Sequence, residues 1–177
     1  MNLFVLMLVF ESSGMRRGIE MISILPNHWD TIISYDENFL VTSSEYSLEE
    51  IMFSQLALQN CAMAEIKDLA KTVGSTQTNN LNKIKTIASK HQVIVPSVLG
   101  EQANKSYKKL GNKTGADFDK EYSEWLVTSY KENIVLFEKA TQEGGNDEIK
   151  SWTLTALPEL RTQLEQAILC QKKCNKM

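Results

Sequence analysis

The chain has 177 residues, of which 42% are hydrophobic and 23% are charged, which is enough for one globular domain with a sizeable core. A formal net charge of −3 and the absence of a basic stripe exclude a typical nucleic-acid-binding surface. Three prolines and eight glycines are few, which favours helices over a turn-rich β fold. We therefore expect an all-α domain.

The first 35 residues are predicted to be a leader or degenerate signal segment, followed by a helical domain over residues 36–177. The chain opens with the apolar run MNLFVLMLVF, about half the length that a membrane-spanning helix needs. No basic residue precedes this run, Arg16 and Arg17 follow it, and no A-x-A-like cleavage site is evident. A degenerate signal, a start at one of two later methionines and a peripheral segment all stay open. No transmembrane span is expected.

Four long helices are predicted after the leader, because apolar residues recur every three or four positions in each. Their approximate limits are Glu37–Asn60, Met63–His91, Asp117–Glu143 and Asp147–Cys174. The segment VIVPSVLG interrupts the pattern, and a short helix, Glu101–Leu110, follows it.

The lengths of the connections predict how these helices are arranged. Short links near Cys61 and at Gly144-Gly145 should make two antiparallel pairs, while the long link Gln92–Gly115 can run back along the helices. This connectivity is that of a ferritin-like four-helix bundle with one crossover that carries a short extra helix.

Each long helix interrupts its apolar stripe with one polar residue near its middle: Glu50, Gln77, Tyr130 and Gln163 in chain order. Counted from the turns at about 1.5 Å per residue, the two members of each antiparallel pair reach similar heights. They should therefore meet in the core and form hydrogen bonds with one another or with water. An alternative for Glu50 is that it closes a helix-capping box with Ser47.

A resemblance to a known family rests on several segments in the right order and spacing. They are DENFLVTSSEYSLEEIMFSQLALQN, IVPS, YKKLGNKTGADFDKEY, YKENIVLFEKA and LPELRTQLE. Over about residues 36–167 the chain resembles the bacterial ferritin-like family catalogued as domain of unknown function 4142, often labelled "predicted outer membrane protein". The resemblance implies a ferritin-like fold and a location in the periplasm or cell envelope.

The resemblance also implies which positions would carry a metal site. The family usually has an Asp-His pair in its second helix, a histidine in the FD-x-x-Y helix and another after LP-x-L. Those positions hold Thr76-Gln77, Tyr130 and Gln163 here, and Glu50 alone matches the family's glutamate. The segment TVGSTQTNN thus resembles a metal-type segment whose ligands have been replaced.

Other candidate ligands have simpler interpretations. Cys61, Cys170 and Cys174 are odd in number, which excludes a full disulfide framework. The C-Q-K-K-C motif suits either a metal or redox site or two small buried apolar side chains near a helix end. His91 is expected to interact with the C-terminal end of its helix, and the E-x-x-H motif of di-iron bundles is absent.

The carboxylates that open the third long helix have a structural explanation. Asp117 and Asp119 lie where negative charge favours the helix dipole, and helix docking suffices as a role for Asp119 and Tyr122. Gly-rich phosphate loops and Ser-His-Asp arrangements are not recognisable.

These observations lead to three hypotheses. The first is a non-enzymatic cell-envelope domain, with a binding or structural role, in which Glu50, Gln77, Tyr130 and Gln163 form a polar core without metal or cofactor. The second is a weakened metal- or redox-active protein that uses Glu50 with other carboxylates or Cys170. The third is a carrier of a small apolar ligand. The partner is unknown from sequence, and an envelope protein is one option.

Overall fold

The chain folds into α-helices throughout the part that the computed structural model describes, which is residues 28–176, with side chains from residue 35 onward. Five helices follow one another there, and no strand occurs among them. They are α1 (His28–Asn60), α2 (Ala64–Lys90), α3 (Glu101–Gly111), α4 (Gly115–Glu143) and α5 (Asp147–Cys174). The all-α class is confirmed, and α2 to α5 begin and end within about two residues of their predicted limits.

The first helix begins at His28, so the predicted start near Glu37 was wrong. The segment HWDTIISYDEN has no clear amphipathic period, and that period was the signal used to locate the helix start. The division into a leader of residues 1–35 and a domain of residues 36–177 stays a prediction. The predictions about residues 1–27 lie outside the described residues.

The turn between α4 and α5 explains why α4 stops where the glycines predict. A Cβ atom on Gly144 would lie 2.5 Å from the carbonyl oxygen of Ala140, which is closer than real Cβ atoms come. Only glycine therefore fits this position without rearrangement. The backbone N–H of Gly145 donates to Asp36 Oδ1 at 3.3 Å, which joins this turn to α1.

The four long helices pack so that α1 contacts α2 and α4, and α5 contacts α4 and α2. Ser47 on α1 contacts Gln77 on α2 and Ser54 lies against Gly74, so α1 and α2 are antiparallel. Tyr130 and Thr141 on α4 contact Gln163 and Thr153 on α5, so α4 and α5 are antiparallel too. The contacts between α1 and α4 and those between α2 and α5 show that these two pairs are antiparallel as well. Consequently α2 and α4 are parallel, and the connection that contains α3 crosses between them, with α3 against α1 and α4.

Two aromatic clusters lie at different heights in the core. Phe39, Phe137 and Trp152 contact one another edge to face, with ring centroids 5.1 to 5.9 Å apart. Phe53 stacks on Trp125 at 4.2 Å, on the other side of Glu50 along α1. Together they cover the middle of the helices with large apolar surfaces. Among the described helices, none is both long enough and apolar enough to span a bilayer.

Candidate functional site

The structure brings the four predicted polar residues together in the core, one from each long helix. Glu50 and Tyr130 have no exposed surface, Gln77 is 1% exposed and Gln163 is 3% exposed. Burial of polar groups costs free energy unless they are hydrogen-bonded, so the partners of each side chain decide what this centre can do.

A chain of hydrogen bonds connects Tyr130 on α4 to the surface. The Tyr130 hydroxyl donates to Gln163 Oε1 at 2.8 Å, and Gln163 Nε2 donates to Thr76 Oγ1 at 2.9 Å. Thr76 in turn donates to Glu159 Oε1 at 3.3 Å. Because Gln163 Oε1 accepts the hydrogen bond of the Tyr130 hydroxyl, both of these oxygen atoms are already engaged in a hydrogen bond within the protein.

Glu50 is much less well satisfied. Ser129 Oγ donates to its Oε1 at 2.7 Å, whereas its Oε2 has no hydrogen-bond partner. Two amide atoms in the core, Gln77 Nε2 and Asn133 Oδ1, have no partner either. Burial raises the pKa of Glu50 to about 7, although Ser129 and the nearby Asn133 and Gln77 side chains lower it. Near neutral pH the Glu50 side chain is therefore present in both its protonated and its ionised form.

The polar segment TVGSTQTNN is helical, and some of its residues contribute to the centre. Gln77 Oε1 accepts from Ser47 Oγ at 3.2 Å and from Asn80 Nδ2 at 3.3 Å. Gly74 faces α1, where a Cβ atom would lie 3.5 Å from Cβ of Ser54, so two small residues let α1 and α2 approach closely. Contacts with Ser47 and Ser54 thus explain Gln77 and Gly74, whereas the remaining polarity is that of the solvent-facing side of α2, where Thr72, Ser75, Thr78 and Asn79 are exposed.

The donor atoms at the centre suit hydrogen bonding better than metal coordination. Burial, assisted by the negative charge of Glu50, raises the pKa of Tyr130 well above its usual value, which disfavours the phenolate that a metal would need. Amide oxygen is a neutral and weak ligand for transition metals. No group of three or more His, Cys, Asp or Glu side chains is placed to hold a metal ion within the described part of the chain.

Neither histidine belongs to this centre. His91 follows the end of α2, where it is exposed and its Nε2 lies 2.9 Å from Asn146 Nδ2. His28 is the first residue of α1, far along that helix from Glu50. At about 1.5 Å per residue, the 22 positions between His28 and Glu50 correspond to roughly 33 Å.

Two partners of the centre, Ser129 and Ser47, were missed as site residues by sequence reasoning, and a third, Thr76, was named only through the family's Asp-His position. Ser129 adjoins Tyr130, Ser47 lies three residues before Glu50, and Thr76 precedes Gln77. Their signal in the sequence was weak, because a small polar residue beside a stripe is common on any helix. The pairing of Ser129 with Glu50 joins residues 79 positions apart and depends on how α1 and α4 pack.

Asp119 has a structural role beyond its favourable position in the dipole of α4. Its fully buried carboxylate accepts hydrogen bonds from the backbone N–H of Ala62 at 3.2 Å and of Met63 at 2.8 Å. These N–H groups precede α2, so Asp119 caps the start of α2 from α4. The helix-docking role expected from the sequence is consistent with this contact.

Cys170 does not lie beside Glu50. Its sulfur is 4.0 Å from the carbonyl oxygen of Glu65, at the start of α2, whereas Glu50 lies near Gln77. The twelve residues from Glu65 to Gln77 correspond to roughly 18 Å along the helix axis. A site that combines Glu50 with Cys170 is therefore excluded by distance.

An apolar-ligand carrier would need an elongated pocket inside the bundle, and the grooves found in the described part of the chain lie at its surface instead. One groove, with a volume of about 280 Å³, lies between α1 and α2 and is lined by residues that include Ile51, Leu58 and Gly74. It runs along the outer side of the helix pair and does not include Glu50 or Gln77. The apolar-ligand hypothesis stays a prediction.

Comparison with known proteins gives one match. A family model described as "Domain of unknown function (DUF4142)" matches residues 30–168, which include all five helices in part or in full and all four central residues. No curated protein and no solved structure matches the chain significantly.

Proposed function

Because the chain belongs to the family described as a domain of unknown function, DUF4142, we propose that it is a non-enzymatic helical domain of the bacterial cell envelope. In this proposal it has a binding or structural role, and its metal-type positions hold a hydrogen-bonded polar core without metal. The cell-envelope location follows from the resemblance to that family. Mass spectrometry of the mature N-terminus from the native host tests it, and an unprocessed cytoplasmic chain would contradict it.

A ferritin-like arrangement is supported by the directions of the helices. Neighbouring long helices are antiparallel, while α2 and α4 are parallel and joined by the long connection that contains α3. This is the order that a four-helix bundle with one crossover requires. In ferritin-like metal proteins, carboxylates and histidines project from all four helices into the core. The proposal places Glu50, Gln77, Tyr130 and Gln163 at the corresponding positions.

The single observation that carries the proposal is the bond from Tyr130 to Gln163. Burial keeps the phenol protonated, and its 2.8 Å hydrogen bond uses the amide oxygen of Gln163, so two of the four positions satisfy each other without an ion. Glu50 then remains as one carboxyl group with a pKa of about 7. A transition-metal site in a helical core needs several anionic or imidazole donors, and one half-protonated carboxyl group is not enough.

The proposal is tested by titration calorimetry with Zn²⁺, Fe²⁺ and Mn²⁺ on the wild type and on Glu50→Ala. We expect no binding that depends on Glu50, so the two titrations should be the same. Saturable binding of one equivalent that disappears in Glu50→Ala would contradict the proposal. Binding that Glu50→Ala leaves unchanged belongs to another part of the chain and leaves the central claim supported.

A gain-of-function variant tests the same idea in the opposite direction. The triple variant Gln77→His, Tyr130→His, Gln163→His restores imidazole at the family's positions around Glu50, and imidazole with carboxylate suits Zn²⁺. We expect one equivalent of Zn²⁺ to bind, with an increase in the thermal midpoint in the presence of metal. The matched control adds Glu50→Ala to the triple variant and should weaken this binding at least tenfold. A folded triple variant that binds no metal would show that these positions do not form a metal-type constellation.

A further inference from the structure

A second cluster of unusual side chains lies at the end of the helices where α1 turns into α2. All three cysteines of the chain are near this end: Cys61 follows α1, while Cys170 and Cys174 belong to the last two turns of α5. The Cys174 thiol points at the thioether of Met63, with 3.6 Å between the two sulfur atoms. Met63 itself is the residue immediately before α2.

The sulfur atoms are reduced and largely shielded from solvent. The three cysteines are free, and Cys170 and Cys174 are 8% and 7% exposed. Cys170 lies one helical turn before Cys174, so both side chains lie on the side of α5 that faces the start of α2. Burial raises the pKa of each thiol, while the nearby Lys173 acts to lower the pKa of Cys170 and Ser123 acts to lower that of Cys174.

Hard ligands near this cluster are already engaged by other groups. The buried carboxylate of Asp119 accepts hydrogen bonds from the backbone N–H groups of Ala62 and Met63. The Glu65 carboxylate is paired with Lys173 at 2.9 Å on the surface. The two carboxylates nearest this cluster are therefore already paired, which leaves the sulfur atoms as its candidate ligands.

We propose that Met63 and Cys174, with Cys170 as a third donor, bind one soft monovalent cation of the Cu(I) class. Thiolate and thioether ligands select Cu(I) over the harder divalent metals. Metal–sulfur bonds of roughly 2.3 Å allow one ion to join two sulfur atoms 3.6 Å apart in a bent arrangement. Cys170, one helical turn before Cys174 on the same side of α5, is the sulfur placed to act as the third donor.

The charge and proton balance of this binding is simple. Cys174 and Cys170 each lose one proton to solvent when they bind, so the two thiolates and one Cu(I) together carry a net charge of −1, with Lys173 as the nearby cation. The thioether of Met63 donates an electron pair without a change in protonation. No oxidation or reduction of the protein is involved. A tetrahedral Zn²⁺ site is disfavoured because it needs four donors, and a thioether is a poor ligand for Zn²⁺.

This inference is independent of the central polar residues. Met63 and Cys174 lie near the start of α2, and the 14 residues from Met63 to Gln77 correspond to roughly 21 Å along that helix. Loss of the sulfur site would therefore leave the Glu50-dependent titration unchanged. The reverse also holds, so failure of one proposal can be distinguished from failure of the other.

The test is an anaerobic competition of the full chain with bicinchoninate, a chromophoric chelator of Cu(I). We expect the wild type to retain one equivalent of Cu(I) and the Met63→Leu and Cys174→Ser variants to bind at least tenfold more weakly. Met52→Leu, which changes a half-buried methionine on α1, is the matched control and should bind as the wild type does. X-ray absorption of the loaded protein should show sulfur neighbours only.

Two outcomes would overturn the inference. One is a wild type that retains no Cu(I) against the chelator. The other is retention that Met63→Leu and Cys174→Ser leave unchanged, which would assign the ion to other residues, since the chain has seven methionines in total. Thermal melts of each variant without metal identify any loss that is due to misfolding. If Cys174→Ser does not fold, Met63→Leu decides the question, because leucine keeps the volume and removes the sulfur.

Discussion

Two carboxylates with no exposed surface, Asp119 and Glu50, lie in the same helical core and have opposite environments. Asp119, near the turn between α1 and α2, accepts hydrogen bonds from two backbone N–H groups, and the N–H of Ala62 is shared between its two oxygens. Glu50, in the middle of α1, accepts one good hydrogen bond from Ser129, and its second oxygen accepts none.

The difference shows that burial alone does not determine what an acidic side chain contributes. At Asp119 the unpaired N–H groups before α2 supply the donors that an ionised carboxylate needs, so the charge anchors one helix to another. At Glu50 the hydrogen bond from Ser129 offsets only part of the cost of burying a charged carboxylate, and the remaining cost raises its pKa to about 7. Asp119 is thus a structural group, while Glu50 is held in an environment that disfavours its charge.

Asp119→Ala should produce the largest loss of stability. It removes a charged acceptor and leaves the N–H groups of Ala62 and Met63 without their partner, so we expect a cost of about 3–5 kcal/mol. Urea unfolding measures it. Asp117→Ala, which changes an exposed aspartate in the same helical turn, is the matched control and should cost well under half as much. Equal costs would show that the capping contact is not what makes Asp119 important.

Glu50→Gln should change the pH dependence of stability. The folded pKa of Glu50 is raised from 4.5 to about 7, so its burial penalty is absent below the unfolded pKa and is fully developed above the folded one. Wild-type stability should therefore fall between about pH 4.5 and pH 7, by on the order of 3 kcal/mol at 1.36 kcal/mol per pKa unit. Glu50→Gln removes this fall and should be the more stable protein above pH 7.

Urea unfolding at several pH values compares this variant with Glu45→Gln, an exposed site on the same helix. The control should keep the wild-type fall in stability. If Glu50→Gln also kept it, Glu50 would not be the group that titrates near neutral pH.

Tyr130→Phe separates the phenol from the carboxyl group. It leaves Gln163 Oε1 without its 2.8 Å donor in the core, so we expect a loss of about 1–2 kcal/mol. Tyr122→Phe is a close control, because Tyr122 is equally buried but its hydroxyl lies 3.3 Å from Ser54 Oγ. Thermal unfolding should therefore show the larger loss for Tyr130→Phe, and a reversed order would contradict the importance of the Tyr130–Gln163 contact.

Asn146→Ala removes a neutral helix cap near the surface, and the stability it loses can be compared with the loss on removing the buried carboxylate of Asp119. Asn146 Oδ1 accepts from the backbone N–H of Glu148 at 2.8 Å and of Ile149 at 3.1 Å, so its loss should cost about 1 kcal/mol. Asn146→Asp keeps the acceptor and should lose much less in a thermal melt. If both variants lost the same amount, the side-chain oxygen would not be the source of the stability.

Periodicity located most of the helices, because α2 to α5 have regular apolar stripes and clear turn residues at their ends. It also selected Glu50, Gln77, Tyr130 and Gln163, all of which are buried. The start of α1 could not be predicted from the sequence, because the residues there have no amphipathic period. The contacts of Ser129 with Glu50 and of Asp119 with Met63 were equally out of reach, because they depend on the relative rotation and height of packed helices.

The most direct test of the central claim is a crystal structure of the wild-type protein grown with excess Zn²⁺ and measured at the zinc absorption edge. The metal-free polar core predicts no anomalous peak between Glu50, Gln77 and Tyr130, with the Tyr130 hydroxyl still bonded to Gln163. A peak at roughly 2.0–2.2 Å from a Glu50 oxygen would contradict it.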